Sequence, residues 1–275
     1  MVLLPERRGR GRRGAPLFEE EKMKEGFRIT LLGTAHGNPT FCRFNTSTLV
    51  ECGGEGMLID AGTPALALLI RMGDDLRQLR HIYLTHMHED HYGGLPDLIK
   101  YQAKYSPCGM LIHLPEEAAI KGMLDFRALA HRPVPADKVS FTVVKPGEEI
   151  LPNGATIRAI PTEHCWCEEE KKHYPSYAFL LTAPSGRRVF ISGDLACDFH
   201  DFPEGIEADI AFCELTHYPI DRAFPVFRRQ PYGKLVFIHV NDAWHDAGAE
   251  ARLAEMTADF PFPCILSHDG DVYEC

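Results

Sequence analysis

Apolar and polar positions alternate in short bursts along most of the chain, and Gly, Pro or Asp closes nearly every burst. FRITLLGT (27–34), NTSTLVEC (45–52), GMLIDAG (56–62) and HIYLTH (81–86) are rich in β-branched and aromatic residues and end in polar turns, which predicts strands. MLIHLP (110–115), VSFTVVKPG (139–147), ATIRAIPTEH (155–164), YAFLLTAPSG (177–186), RRVFISGD (187–194), KLVFIHV (234–240) and PCILSHDGD (263–271) predict more. Between them, apolar residues recur at helical spacing in PALALLIRMG (64–73), LPDLIKYQAKY (95–105), EEAAIKGMLDFRAL (116–129) and HDAGAEARLAEMTADF (245–260). The strand runs cluster in hairpin-like pairs in both halves of the chain, with helices interspersed. That order predicts a mixed α/β protein of two β-rich layers covered by helices, not a simple βαβ wind.

Composition is that of an ordinary globular chain: 275 residues, 45% hydrophobic and 25% charged. No apolar run approaches the roughly 20 residues needed to span a bilayer. A cytoplasmic protein with no membrane partner is expected, and a homo-oligomer is left open. The nine cysteines, at 42, 52, 108, 165, 167, 197, 213, 264 and 275, are scattered through strand-like contexts and read as reduced thiols. Residues 1–22 differ from the rest: RRGRGRRG followed by EEEK has almost nothing to bury, and reads as a disordered leader or an upstream false start. Met23 then opens a single domain spanning 23–275. With the leader's six basic and four acidic residues set aside from totals of 29 and 39, 23 and 35 remain, a net charge of −12. So acidic a body is a poor partner for long nucleic acids, which need many cationic contacts.

The densest chemistry lies in THMHEDHYGG (85–94). His86 and His88 are spaced i, i+2, so they diverge on a helix but point the same way from an extended segment. Since HIYLT reads as a strand, His86, His88 and Asp90 are expected to project together from its end, with His91 at the turn. Gly93 and Gly94 would let the chain reverse into a helix. Imidazoles and carboxylates are ligands for zinc, iron or manganese, and this many in one turn could serve two ions.

HMHEDH resembles the HxHxDH signature of the metallo-β-lactamase superfamily, and the rest of the chain offers that family's later ligands in order. His164 closes ATIRAIPTEH, Asp194 closes RRVFISGD, and His239 lies in KLVFIHVND. LLGTAHGNP and LIDAG also resemble the family's first strand and its Asp-bearing turn. The resemblance implies a four-layer αβ/βα sandwich, two mixed β-sheets with helices on the outer faces and the metal site at one edge. It also implies that His86, His88 and His164 hold one metal, that Asp90, His91 and His239 hold the other, and that Asp194 bridges them. Zn2+ is the expected ion, with Mn2+ or Fe as alternatives. His268 in SHDGD competes with His239 for the last place, and both His268 and His36 are near-site candidates. Asp60 either accepts the free ring N–H of a ligand histidine or caps a strand end. Cys165 and Cys167 flank the site without a CxxC or a matching histidine pair, so no separate zinc site is expected there.

Two ions sharing a hydroxide would lower its pKa and aim it at an electrophile, which makes hydrolysis the expected reaction. Asp90 and His239 are expected at the catalytic centre, and Glu214 with a near-site histidine is expected to relay a proton to the leaving group. GTAHGNPTFCRFNTS, the GGLP after the metal motif, and ADIAFCELT resemble the ribonuclease Z-like phosphodiesterase branch. That branch's HEAT stretch becomes Cys213, Glu214, Leu215, Thr216, and its His-x-Ser-x-Arg-Tyr pattern becomes His239 through Trp244. These departures remove a histidine and an arginine. A small or cyclic phosphodiester is therefore the expected substrate. A carboxyl-type hydrolase acting on lactones, thioesters or β-lactams is the alternative, and a non-hydrolytic iron redox protein or metal-stabilised binding module stands behind it.

Overall fold

A computed structural model describes residues 25–73, 76–106, 108–131 and 133–275. The leader expected over 1–22 lies outside the described residues. The first half supplies β1 (Arg28–Gly33), β2 (Ser47–Cys52), β3 (Glu55–Ile59), β4 (Leu79–Tyr83), β5 (Met110–Leu114) and β6 (Val139–Val143). Its helices are α1 (Ala65–Met72), the short α2 (Glu89–Tyr92), α3 (Leu95–Tyr105) and α4 (Glu117–Ala128). The second half supplies β7 (Gly147–Ile150), β8 (Thr156–Thr162), β9 (Trp166–Cys167), β10 (Lys172–His173), β11 (Ser176–Thr182), β12 (Arg188–Ile191), β13 (Ile210–Leu215), β14 (Leu235–Val240), β15 (Cys264–Leu266) and β16 (Val272–Glu274). Helices α5 (Ile220–Phe227) and α6 (Ala249–Met256) complete it. One seven-stranded sheet runs β16-β1-β2-β3-β4-β5-β6 and the other β15-β14-β13-β12-β11-β8-β7, while β9 and β10 pair apart.

The pleat explains why so many strands are apolar on both faces. Ile29, Leu31, Met57 and Ile59 from one sheet meet Phe179, Val189, Ile191 and Ile238 from the other in the central core. Their neighbours point outward: Leu32, Leu58 and Ile82 lie under Leu69, Leu95 and Leu98 of the first helical layer. Phe190, Ala211 and Phe237 lie under Phe224, Phe227 and Leu253 of the second. These are the four layers that the sequence predicts.

Several boundaries differ from expectation, each for a local reason. The strand read in HIYLTH stops at Tyr83, so Thr85 and His86 lie beyond it, and His88 caps α2. VSFTVVKPG spans two strands, because the chain leaves the first sheet after Val143 and enters the second at Gly147. The helix read over 245–260 shortens to α6, since Asp242–Trp244 forms a 3-10 turn and Gly248 caps the helix at its start. Several elements escape the pattern, among them the short β9, β10 and β16. Strand β13 is buried at every position and lacks alternation, and α5 carries Pro225 inside it.

Topology gathers the chemistry at one edge. β3 and β4 are parallel, as are β12, β13 and β14, and β8 runs with β12 through antiparallel β11. Their carboxyl ends therefore emerge together. Backbone bonds tie the two sheets there: Tyr177 N–H donates to Thr85 O (2.9 Å), and Val240 N–H donates to Thr34 O (2.8 Å).

Away from that edge, His113 is buried between the sheets, stacked on Tyr83 with ring centroids 3.7 Å apart and 3.2 Å from His81 through ring nitrogens. Burial, aided by His81, pushes its pKa down from 6.5 to about 3. The unfolded ring takes up a proton near 6.5 and the folded ring resists until about 3, so the unfolded state binds more protons between these values. The stability this gives is complete above pH 6.5 and declines as pH falls toward 3. Wild type should lose on the order of 1 kcal/mol per pH unit more than His113→Phe across that window in urea unfolding. Equal slopes would show that the ring titrates normally in the fold.

Candidate metal centre

Five imidazoles and one carboxylate oxygen meet where the sheets' edges adjoin. Asp194 Oδ2 lies 3.7 Å from His86 Nε2, 3.3 Å from His91 Nε2, 3.6 Å from His164 Nε2, 3.5 Å from His239 Nε2 and 3.7 Å from His217 Nδ1. His88 Nδ1 closes the near side, 2.9 Å from His86 Nε2 and 3.2 Å from His164 Nε2. On the far side Asp90 Oδ2 lies 3.1 Å from His239 Nε2 and 3.4 Å from His91 Nε2. Donors around a divalent ion at roughly 2.0–2.2 Å sit about 3–3.6 Å from one another, close to these spacings.

Local backbone features aim the groups. His86 and His88 share a side because the connector between them is extended, with His88 at φ −82° and ψ 147°. Asp90 does not project from the strand end as expected but rides on the helical turn α2, where His91 also lies, at the turn as expected. Gly93 and Gly94 lead the chain into α3 as expected, and they do so with right-handed backbone. They are needed for space, because a Cβ at Gly93 would sit 2.7 Å from Glu89 O and one at Gly94 2.8 Å from Ala61 O. Gly193 precedes Asp194 at φ +57°, where a Cβ would come 2.5 Å from Tyr177 O. His239 has φ 48° at a register shift between β13 and β14, a bulge that turns its ring into the site.

Neighbouring acceptors fix which ring nitrogen is free. Asp60 is buried and accepts from His91 Nδ1 (2.8 Å), from Thr85 N (2.8 Å) and from the Thr85 hydroxyl (3.0 Å). It therefore acts as the expected partner of a ring N–H and also pins the strand end. Thr85 Oγ lies 3.0 Å from His86 Nδ1, and the Leu195 carbonyl accepts from His164 Nδ1 (3.0 Å). In each ring Nε2 is left as a lone pair facing Asp194.

The donor set suits a cation. His91 Nε2, Asp194 Oδ1 and His239 Nδ1 are buried with no hydrogen-bond partner, a costly condition in a folded interior. Burial, with His91 nearby, holds His86 well below its ordinary pKa, and burial with His164 lowers His88, so both present the neutral form that binds metal. Burial opposes the charge on Asp90 and Asp194, yet the surrounding histidines outweigh it and hold both carboxyls well below the usual range. His91 is driven the other way: burial disfavours its charge, but Asp194 and Asp60 raise its pKa well above the ordinary value. A divalent ion at Nε2 would take the place of the proton that these carboxylates favour there. Donors that converge within 4.8 Å form four sets: His86, His88, His164 and Cys165; His86, His91 and Asp194; Asp90, His91 and His239; and Asp194, Glu214, His217 and His239. A cavity of about 10 Å³ beside His91, Asp194, Glu214 and His239 leaves room for one small species.

All seven expected ligand residues are brought together, His239 among them and His268 outside. His268 is about half exposed and pairs with Glu250 at 3.5 Å, outside every convergent set. His36 stands at the rim, 3.2 Å from Asp242, which also faces His245 at 3.5 Å. Glu214 is fully buried and accepts from Leu195 N (2.8 Å), Thr216 N (3.1 Å), His217 N (3.0 Å) and His217 Nδ1 (2.9 Å). His217 is the residue that sequence reasoning missed. It lies three positions after Glu214, in CELTH, where a short polar stretch gave no periodic signal. Burial opposes its charge, but Glu214 raises its pKa to about 9. Thr85 is a second such residue, signalled only by its place directly before the ligands in THMHEDH.

Comparison with known proteins shows the family and the fold. Ribonuclease Z of Bradyrhizobium diazoefficiens is 30% identical over 167 residues, covering 59% of this chain and 52% of that protein. Ribonuclease Z of Methanosarcina acetivorans is 30% identical over 141 residues, covering 50% and 45%. The chain thus spans about half the length of the curated relatives it matches. Among solved structures, the metallo-β-lactamase fold protein YhfI from Bacillus subtilis superposes with a TM-score of 0.73 at 19% identity, covering 91% of this chain and all of that one. A diphosphatase of the PhnP family gives 0.67 at 19% identity, covering 91% and 97%. The short form of human tRNase Z gives 0.66 at 19%, covering 90% and 98%. At these identities the structures show the fold, which is the metallo-β-lactamase sandwich expected from HMHEDH. The family described as "Anti-Pycsar protein Apyc1" matches residues 27–216, a span that opens on β1 and carries six of the seven expected ligands, all but His239. The chain belongs to that family, on a ribonuclease Z-like metallo-β-lactamase fold.

Proposed function

We propose that the protein is a dinuclear metal-dependent hydrolase, a phosphodiesterase that cleaves a small or cyclic phosphodiester, carried by a single domain over 23–275. The observation that supports it most is the pair of convergent donor sets flanking one buried carboxylate oxygen of Asp194. His86, His88 and His164 form one set, and Asp90, His91 and His239 the other. Two divalent ions bound there would supply Lewis acidity for a phosphoryl oxygen and a water made nucleophilic at neutral pH. Zinc suits the histidine-rich donors, with manganese or iron as alternatives.

The side chains divide the remaining tasks. Asp90 and His239 hold each other at 3.1 Å and keep both donors aimed at the second position. Asp60 and Thr85 fix the tautomers of His91 and His86 and so keep both lone pairs available. Glu214 holds His217 by its Nδ1–H, leaving Nε2 to deliver a proton to the departing alkoxide. Glu214 is a positioning residue, for its oxygens are spent on the protein. The acidic body argues against a long polyanion, and a compact diester with one negative charge suffers less repulsion.

After metal reconstitution, the protein should turn over bis(p-nitrophenyl) phosphate and at least one member of a cyclic nucleotide panel. Asp194→Ala should abolish this turnover and lower metal content. Retained activity, or turnover of lactones or thioesters with none of phosphodiesters, would contradict the reading.

The proton relay makes a separate prediction. His217→Gln should lower kcat on a cyclic nucleotide by about 10²-fold or more, since its alkoxide leaving group needs an acid. On bis(p-nitrophenyl) phosphate, whose phenolate departs unaided, the loss should stay below about tenfold. Equal losses on both substrates would assign His217 to metal binding instead.

A further inference from the structure

We propose that the Cys165 thiol is a ligand of the first metal position, joining His86, His88 and His164 and making that position zinc-selective while the second stays an all-nitrogen-and-oxygen site. This rests on the two-metal reading above and adds to it a difference between the two halves.

Three observations carry it. The Cys165 Sγ and one nitrogen from each of His86, His88 and His164 all lie within 4.8 Å of one another. Buried Asp194, whose Oδ1 has no hydrogen-bond partner, adjoins the same junction, with Oδ2 3.7 Å from His86 and 3.6 Å from His164. The main chain that presents the thiol is also fixed. Trp166 N–H donates to His164 O (3.0 Å) and Tyr174 N–H donates to Cys165 O (2.8 Å), where the β9–β10 hairpin begins. Cys165 is therefore held beside His164 by the ladder and is not a passing neighbour. The two cysteines of this hairpin differ in what they face. Cys167 directs its thiol at Glu169 (3.5 Å), whereas Cys165 Sγ makes no hydrogen bond among the described residues and faces three imidazoles.

The chemistry follows from softness. A thiolate binds zinc strongly and manganese weakly, while imidazole and carboxylate discriminate less between them. On binding, the S–H bond breaks, a metal–sulfur bond forms and the proton passes to solvent, with no change of oxidation state. The first position thus retains zinc, and the second, with Asp90, His91 and His239, exchanges among hard divalent ions. A serine at 165 keeps the size of the side chain and removes the soft donor.

Cobalt reads this out independently of turnover. Wild type, Cys165→Ser and Cys167→Ser are stripped of metal, reloaded with Co2+ and compared by absorption spectroscopy, with circular dichroism to show that each remains folded. Wild type and Cys167→Ser should show an intense near-ultraviolet sulfur-to-cobalt charge-transfer band. Cys165→Ser should lose it and keep the weaker visible bands from histidine and carboxylate ligands. In a parallel chelator competition, Cys165→Ser should release zinc about tenfold more readily, with manganese retention changed less than about threefold. Visible bands without a charge-transfer band in wild type, or a band that survives Cys165→Ser, would overturn the thiol ligand and leave the metal centre standing. Failure to bind cobalt at all, with no visible bands, would overturn the metal centre itself and the thiol ligand with it.

Discussion

One buried oxygen organises the active edge of this protein. Asp194 Oδ2 is almost fully removed from water and stands within 3.7 Å of five imidazoles contributed by the β4–α2 connector and α2, the end of β8, the segment after β13 and the bulged end of β14. An unpaired carboxylate in such a place is expensive, and pairing it with histidines alone leaves Oδ1, His91 Nε2 and His239 Nδ1 without partners. Cations would satisfy Oδ1 and His91 Nε2, which accounts for donors held so close to one another. The surrounding acceptors serve the same end. Asp60, Thr85, the Leu195 carbonyl and Glu214 each engage one ring nitrogen and so decide which nitrogen remains open.

Holding that arrangement requires strained backbone, and the fold supplies the means. Asp60 at φ 61° and His239 at φ 48° occupy left-handed conformations that cost a non-glycine residue on the order of 1–3 kcal/mol. Both sit where the two sheets are tied by the Tyr177–Thr85 and Val240–Thr34 backbone bonds, so neighbouring strands over-determine them. The core beneath, with Phe179, Ile191 and Ile238 packed against Ile29 and Ile59, keeps the strand ends from relaxing apart. Packing of the two sheets is thus what fixes the positions of ligands separated by long stretches of sequence.

Legibility in the sequence followed the range of the signal. HMHEDH could be read because one connector carries four donors in six residues, and SGD because a glycine and an acid follow an apolar strand. Strands with clear alternation or turn punctuation were readable too. β13 was not, since IAFCEL carries a single β-branched residue and a buried glutamate, and α5 was hidden by its internal Pro225. His217 was missed for a related reason: it lies past the end of β13, in a polar stretch whose role depends on Glu214 folding back to meet it. The difference between His239 and His268, both after apolar strands, is set by a bulge and a turn that pattern alone does not encode.

The central claim is that two ions share the Asp194 carboxylate. Anomalous scattering from zinc-loaded crystals, recorded on both sides of the metal edge, tests it most directly. Two peaks about 4 Å apart are predicted, one among His86, His88 and His164 and the other among Asp90, His91 and His239, with Asp194 between them. A single peak, or none at this edge in metal-saturated protein, would contradict the account.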